Sequence, residues 1–239
     1  MEDFWEESVP PGYYDSVVKH GLKKNRGIQA CWHHITFSTV GNLIKESKNH
    51  LDYACGPGTF IGNYANTKSL GIDISSNQIN YANSNYSSEG EFLTLNKFAI
   101  EYYEGKFDCI TVLGLFEYLE NNEILSLLQN FDLLINENGK IIITTPNYGG
   151  IMYFLDKILN YFGPVDYNSE NINKFTKKRL LKLIRDTNKW NIKITKYSTP
   201  FMFLSFFSIK LGFQLNKLIE RLTKNKIGFL LLIELTKND

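Results

Sequence analysis

Short apolar runs alternate with helix-period segments along most of this 239-residue chain. Strand-like runs stand at 50–54, 69–74, 91–95, 107–113 and 140–145, with helical patterns at 58–66, 76–85 and 122–135 between them. In the last of these, Ile124, Leu127, Leu128, Phe131 and Leu134 recur at the spacing of one helix face. That pattern stops at the turn signal Asn136-Glu137-Asn138-Gly139. Ser75-Ser76-Asn77-Gln78 predicts a capping box at the start of the helix after the second strand. A further helix is expected over 28–47, ahead of the first strand. Residues 1–27 read as an irregular arm, broken by Pro10, Pro11 and Gly12.

Strands that alternate with helices predict an α/β fold, a parallel sheet covered on both faces. The final third is less regular. A helix is expected over 151–162, ending at Gly163-Pro164, and another runs from a Thr176 cap to about 187. Strands follow at 192–198 and 228–236, with an apolar helix near 201–222 between them. The expected organisation is an arm, 1–27, and one domain, 28–239, with cap elements at about 151–175 and 200–226.

Composition changes this picture little. The chain is 43% hydrophobic and 21% charged, with a net charge of +1, ordinary values for a globular protein. The charge is unevenly spread: residues 1–150 hold 10 basic against 18 acidic side chains, and residues 151–239 hold 16 against 7. Cys31, Cys55 and Cys109 form no metal-ligand pair and imply no disulfide framework. The acidic start, MEDFWEESVP, does not read as a signal peptide, and no apolar run is long enough to span a bilayer. A cytoplasmic location is the expectation.

The chemistry gathers at one loop. Leu51-Asp52-Tyr53-Ala54-Cys55-Gly56-Pro57-Gly58-Thr59 follows a strand and opens a helix. Glycines there let the backbone turn tightly and approach a ligand, and free amides at the helix start favour a carboxylate. Asp73 ends the next strand, 17 residues beyond Gly56, so a β-α-β unit brings it to the same crevice. Its carboxylate there can accept from both hydroxyls of a ribose. A nicotinamide dinucleotide fingerprint needs G-x-G-x-x-G, and neither register, Ala54/Gly56/Thr59 or Gly56/Gly58/Ile61, completes it.

Asp52-x-Ala54-x-Gly56-x-Gly58 resembles the first motif of class I S-adenosylmethionine-dependent methyltransferases, with Ala54 in place of the usual first glycine. Phe107 to Val112 resembles their fourth strand and GKIIITTPN, 139–147, their fifth. Trp32-His33, Gly163-Pro164-Val165-x-Tyr167 and Asn171-Ile172-Asn173-x-Phe175-Thr176 resemble a bacterial small-molecule branch of that class. The resemblance implies a Rossmann-like sheet of seven strands, the last antiparallel, and S-adenosylmethionine as cofactor. It implies that Ala54, Gly56 and Gly58 line the methionine end, that Asp73 holds the ribose, that Leu113 and Gly114 contact the methionine or sulfonium region, and that Asn96 falls where many relatives carry an acid near the adenine; Asp52, Ile74 and Lys97 are further candidate cofactor contacts. Two departures stand out. The branch commonly shows Glu-His where this chain has Glu117-Tyr118, and a His where it has Asn171.

Methyl transfer needs in-line placement of a nucleophile, and a hydroxyl or phenol also benefits from a base. His33 is the candidate base, on the helix expected to fold over the cofactor, while His50 lies at the far end of the first strand. Glu117 and Tyr148 follow strand ends that face the cleft; Glu117 capping the next helix and Tyr148 packing as an aromatic are the plainer alternatives. The acceptor is expected to be a small molecule: lipid-linked, sugar or quinone-like. A binding module without catalysis is the competing reading. Residues 201–213, FMFLSFFSIKLGF, are apolar nearly all round and flanked by bases, which suits a core cap, a peripheral membrane contact or a homodimer surface. Nucleic acid is not expected, because Gly114-Leu115-Phe116-Glu117 stands where adenine-modifying relatives carry Asp/Asn-Pro-Pro-Tyr.

Overall fold

The computed structural model describes residues 4–150, 152 and 172–238. Seven strands form one sheet: β1 (His50–Tyr53), β2 (Ser69–Asp73), β3 (Gly90–Thr94), β4 (Phe107–Leu113), β5 (Ile135–Pro146), β6 (Trp190–Tyr197) and β7 (Leu230–Lys237). Their spatial order is β3-β2-β1-β4-β5-β7-β6. β7 runs antiparallel to both its neighbours, and the other pairs are parallel. The expected α/β class, seven strands and antiparallel last strand are all present. Chain order reverses direction between β1 and β4, which opens a crevice at their carboxyl ends.

Side chains alternate between two cores. Leu51, Ile110, Val112, Ile141 and Ile143 meet α5 (Asn121–Leu134) and α6 (Lys177–Arg185) on one face. Cys109, Ile142 and Leu232 meet α1 (Tyr13–Lys24) and α2 (Ile28–Ile44) on the other, where Met202 and Ile209 also pack. α3 (Thr59–Asn63) and α4 (Ser76–Tyr86) share a smaller cluster around Phe92. Ile209 opens the last helix, α7 (Ile209–Leu222).

Four expectations need correction. The arm is not irregular throughout. After a single wide turn, Phe4–Ser8, it forms α1, whose buried face is Asp15, Val18 and Gly21. So little apolar surface gives no readable periodicity; Asp15 is satisfied instead by the hydroxyls of Tyr81, 2.8 Å away, and Tyr86, and by Lys19 at 3.0 Å. The apolar run near 201–222 is two elements, because Ser208 caps a new helix by accepting from the Leu211 amide at 3.3 Å; a 3-10 segment, Pro200–Phe206, precedes it. Only half of the capping box forms. Ser75 accepts from the Gln78 amide, but the Gln78 side chain turns to Gly12, Val9 and Pro10. Finally, residues 136–139 lie inside β5 as an irregularity opposite Phe107 and Cys109, not between elements. The expected helix over 151–162, Gly163-Pro164 and Asn171 lie outside the described residues, Met152 apart.

Candidate active site

At the end of β1 the chain turns through three left-handed residues: Ala54 (φ +62°), Gly56 (+53°) and Gly58 (+73°). Their reasons differ. A Cβ on Gly56 would meet no atom within 4 Å, so this glycine serves the turn and leaves its outer side open to the crevice. A Cβ on Gly58 would come within 2.8 Å of Phe92 and 3.0 Å of Ala82. Gly58 therefore lets α3 pack against β3 and α4, and it does not line the cavity described below. Ala54 takes a conformation that costs a residue with a Cβ about 1–2 kcal/mol. Ala54→Gly relieves that strain, less the entropy a glycine adds to the unfolded chain. The expected result is a gain of about 0.5–1 kcal/mol, read as a higher urea midpoint with an unchanged slope.

Asp73 meets this loop directly. Its Oδ2 accepts from the Gly56 amide at 2.8 Å and its Oδ1 from the Ser75 amide at 2.9 Å. Burial pushes its carboxyl up, and these backbone donors pull it back. Asp52 lies behind the loop, buried, with the Thr111 hydroxyl 2.6 Å from Oδ1 and His50 Nε2 2.8 Å further along. Burial raises Asp52 to about 7 and lowers His50 to about 3. Ile74 and Leu113 line the same cavity, and Leu95 joins them. Asn96 and Lys97 do not: both are exposed, and the Asn96 side chain accepts from Thr94 at 2.6 Å.

The cavity has a volume of about 800 Å3 and runs from Asp73 and Ala54 to a polar inner end. There Glu117 is buried, accepting at Oε2 from the Thr145 hydroxyl at 2.9 Å. Burial raises its carboxyl to about 7. It does not cap α5; Glu120 holds that place, its amide donating to Glu123 at 2.7 Å. Asn173 braces the Glu117 turn from behind, its amide donating to the Glu117 carbonyl at 2.9 Å and its side chain to the Leu119 carbonyl at 2.5 Å. Tyr197 lies 3.2 Å from Thr36 by their hydroxyls, and burial keeps the phenol protonated. Thr36, Thr144, Thr145 and Tyr197 all line the cavity, and no sequence motif marks them as site residues. Thr36 is the lone polar residue among those buried on α2, Thr144 and Thr145 lie in an apolar strand and Tyr197 ends another, so none carries a local signal.

His33 faces the cavity between the rings of Tyr14 and Phe37, with centroids 5.4 and 5.5 Å away. Burial lowers its imidazole to about 4, so it is neutral and a weak base. Tyr148 also lines the cavity and carries the Lys174 ammonium 5.4 Å from its ring centroid. The outer wall comes from the N-terminal arm: Trp5, Val9, Tyr13 and Tyr14. Trp5 packs edge-on against Tyr118 at 5.1 Å, the position where the resembled branch has histidine. Glu6 anchors the arm on the start of α4, accepting from the Ser75 and Ser76 hydroxyls at 2.5 Å, and these bonds lower its carboxyl.

Residues 31–191 match a family model described as a methyltransferase domain. A curated relative, the uncharacterized protein RP028 of Rickettsia prowazekii (strain Madrid E), is 27% identical over 166 residues, 62% of this chain and 66% of the relative. The match thus spans just under two thirds of that relative's length. The magnesium protoporphyrin IX methyltransferase of Synechocystis PCC 6803, solved with bound SAH, superposes with a TM-score of 0.59 at 15% identity, covering 95% of this chain and 97% of that one. A SAM-dependent methyltransferase from Archaeoglobus fulgidus gives 0.55 at 18%, covering 84% and 94%. The plantazolicin methyltransferase BpumL, in complex with SAH, gives 0.59 at 18%, covering 100% and 94%. At these identities the likeness to the solved structures is one of fold.

Proposed function

This chain belongs to the methyltransferase-domain family, and we propose that it moves the methyl group of S-adenosylmethionine to an oxygen of a small-molecule acceptor. One observation carries this reading: the Asp73 carboxylate and the left-handed loop meet at the mouth of a cavity whose inner end is a buried carboxyl, Glu117. The crevice fits the cofactor in two further respects. Gly56 leaves open space where a side chain would stand. Thr59 Oγ1, on the cavity wall, is buried without a hydrogen-bond partner among the described residues, an arrangement that a ligand's polar group would relieve.

In this reading Asp73 accepts from the ribose hydroxyls, and Ile74 and Leu95 give the apolar walls beside it. Ala54, Gly56, Thr59 and Asp52 surround the amino-acid end, with Leu113 between that end and the acceptor. S-adenosylmethionine, when bound, supplies a methyl group already made electrophilic by its sulfonium. What the protein adds is position, dryness and a proton acceptor. Trp5, Tyr14, Trp32 and Phe37 are cavity walls that exclude water and suit a flat or apolar acceptor body. Glu117 takes the acceptor's hydroxyl proton, with Thr145 fixing one of its oxygens. Its pKa near 7 suits that task better than His33 at about 4. Tyr197 stays protonated and donates to the acceptor's second polar group.

Calorimetry with S-adenosylmethionine and its demethylated product tests the cofactor half. A labelled-methyl assay on fractionated small-molecule extract tests the transfer half. Binding of both ligands with label entering a small molecule is the expected result. Binding without transfer to any fraction would mark a silent binding module, and no binding at millimolar ligand would end the proposal.

A further inference from the structure

α7 is held with its leucines outward. Leu211, Leu218 and Leu222 are 45, 47 and 67% exposed, and Phe206 and Phe207, just ahead of the helix, are 64 and 77% exposed. Spacings of seven and four put the three leucines on one stripe of the helix. The buried face is Ile209, Gly212, Asn216 and Glu220. Its polar pair is committed: Asn216 Oδ1 accepts from the Thr199 amide at 2.5 Å, and Glu220 Oε1 accepts from the Ser198 amide at 2.7 Å and from Asn216 at 2.9 Å. Turning the helix to bury the leucines would strand two buried amides and a carboxylate. It would also move Gly212 from a contact where a Cβ would stand 2.8 Å from the Ser205 nitrogen. The exposure of the stripe is therefore fixed by the fold.

The surroundings are basic. Residues 200–229 contain Lys210, Lys217, Arg221, Lys224 and Lys226 against a single acid, Glu220, which is buried. Lys217 is taken up by Glu220 at 3.2 Å, and the other four are exposed. The end of α1 extends the face, because Asn25 accepts at Oδ1 from the Lys210 amide at 3.0 Å and so sets Leu22, Lys23 and Lys24 beside the start of α7. A second copy docking face to face would bring these cations together, which costs energy. An anionic lipid surface neutralises the same cations and takes up the apolar stripe.

We propose that the outward face of α7, with Phe206 and Phe207, seats this protein on anionic membrane as a peripheral contact. The contact is not a span; among the described residues no helix is long and apolar enough to cross a bilayer. The surface also differs from the 201–213 run, since Met202, Ser205, Ile209 and Gly212 of that run are buried and the stripe continues to Leu222. This inference is independent of the reaction.

The test is co-sedimentation of the full chain with phosphatidylcholine vesicles, with and without phosphatidylglycerol, across a salt series. Binding should require phosphatidylglycerol and fall with salt. Lys210→Glu with Arg221→Glu should weaken it about thirty-fold or more. Leu218→Ser with Leu222→Ser should weaken it at least ten-fold at low salt, and both pairs sit on exposed positions that leave folding intact. Leu133→Ser, an exposed leucine on α5, should change nothing. Absence of binding, binding blind to phosphatidylglycerol, or equal loss in the Leu133→Ser control would overturn the proposal. So would a concentration-dependent dimer that the leucine pair dissolves, without vesicle binding, which would make the face an interface between copies. Cofactor affinity measured on the same variants should be unchanged, so a failure here is distinct from a failure of the methyl-transfer reading.

Discussion

Replacing Asp73 by alanine is expected to weaken S-adenosylmethionine binding at least about 100-fold by calorimetry. Two hydrogen bonds from ribose hydroxyls to an ionised carboxylate contribute roughly 1.5–3 kcal/mol each, so 100-fold is the lower end. The same carboxylate also holds the Gly56 and Ser75 amides, so the alanine variant loosens the loop as well as losing the ligand contact. Asp73→Asn keeps one acceptor oxygen but turns an NH2 towards the Gly56 or the Ser75 amide, so it too disturbs part of the loop. Its loss of cofactor affinity should be smaller, about ten-fold, and the thermal midpoints of the two free variants report the loop's share. An Asp73→Ala protein that bound the cofactor as tightly as the parent would remove the ribose assignment.

Glu117→Gln should lower kcat by about 100- to 10,000-fold while leaving cofactor affinity unchanged, the range expected when a general base is removed. The pH dependence gives the sharper readout. Burial raises the Glu117 carboxyl to about 7, and only the ionised form accepts a proton. In the parent, kcat should therefore rise about ten-fold per pH unit below 7 and level off above it. In Glu117→Gln that limb should vanish. A parent profile flat from pH 5.5 to 8 would show that no group of this pKa takes the proton.

The sheet was legible because its signals are local. β4, β5 and β7 carry short runs of Ile, Val and Leu, and the Asp52 to Thr59 motif compresses its geometry into eight residues. The place of Asp73 followed from the length of one β-α-β unit. What escaped depends on residues far apart in sequence. Asp15 finds Tyr81 and Tyr86 across 66 and 71 positions, so α1 holds without the apolar face that periodicity detects. The spacing of Ser75 and Gln78 predicts a reciprocal helix cap, yet the Gln78 amide secures the Val9 and Pro10 carbonyls, a choice made by the arm's arrival. For Asn96 and Lys97 the resemblance implies a cofactor contact, yet both are exposed, and the Asn96 side chain is engaged by Thr94. Thr36, Thr144, Thr145 and Tyr197 converge from α2, β5 and β6, and no single stretch of chain announces them.

His50 and Asp52 lie two residues apart on β1, joined through the Thr111 hydroxyl. In the folded chain the imidazole titrates at about 3 and the carboxyl at about 7; from ordinary values of 6.5 and 3.8, they have exchanged order. Between roughly pH 4 and 6.5 the unfolded pair is an imidazolium and a carboxylate, whereas the folded pair is neutral on both sides. Folding thus hands one proton across and takes none from solvent. Alone, His50 would make the protein less stable as pH falls below 6.5, and Asp52 alone would make it less stable as pH rises from 3.8 towards 7, each by about 1.4 kcal/mol per unit. Together the slopes cancel, and two ionisable groups sit at the centre of the sheet without making it acid-sensitive. Asp52→Asn should uncover the histidine's slope, with the urea midpoint climbing from pH 4 to 6.5.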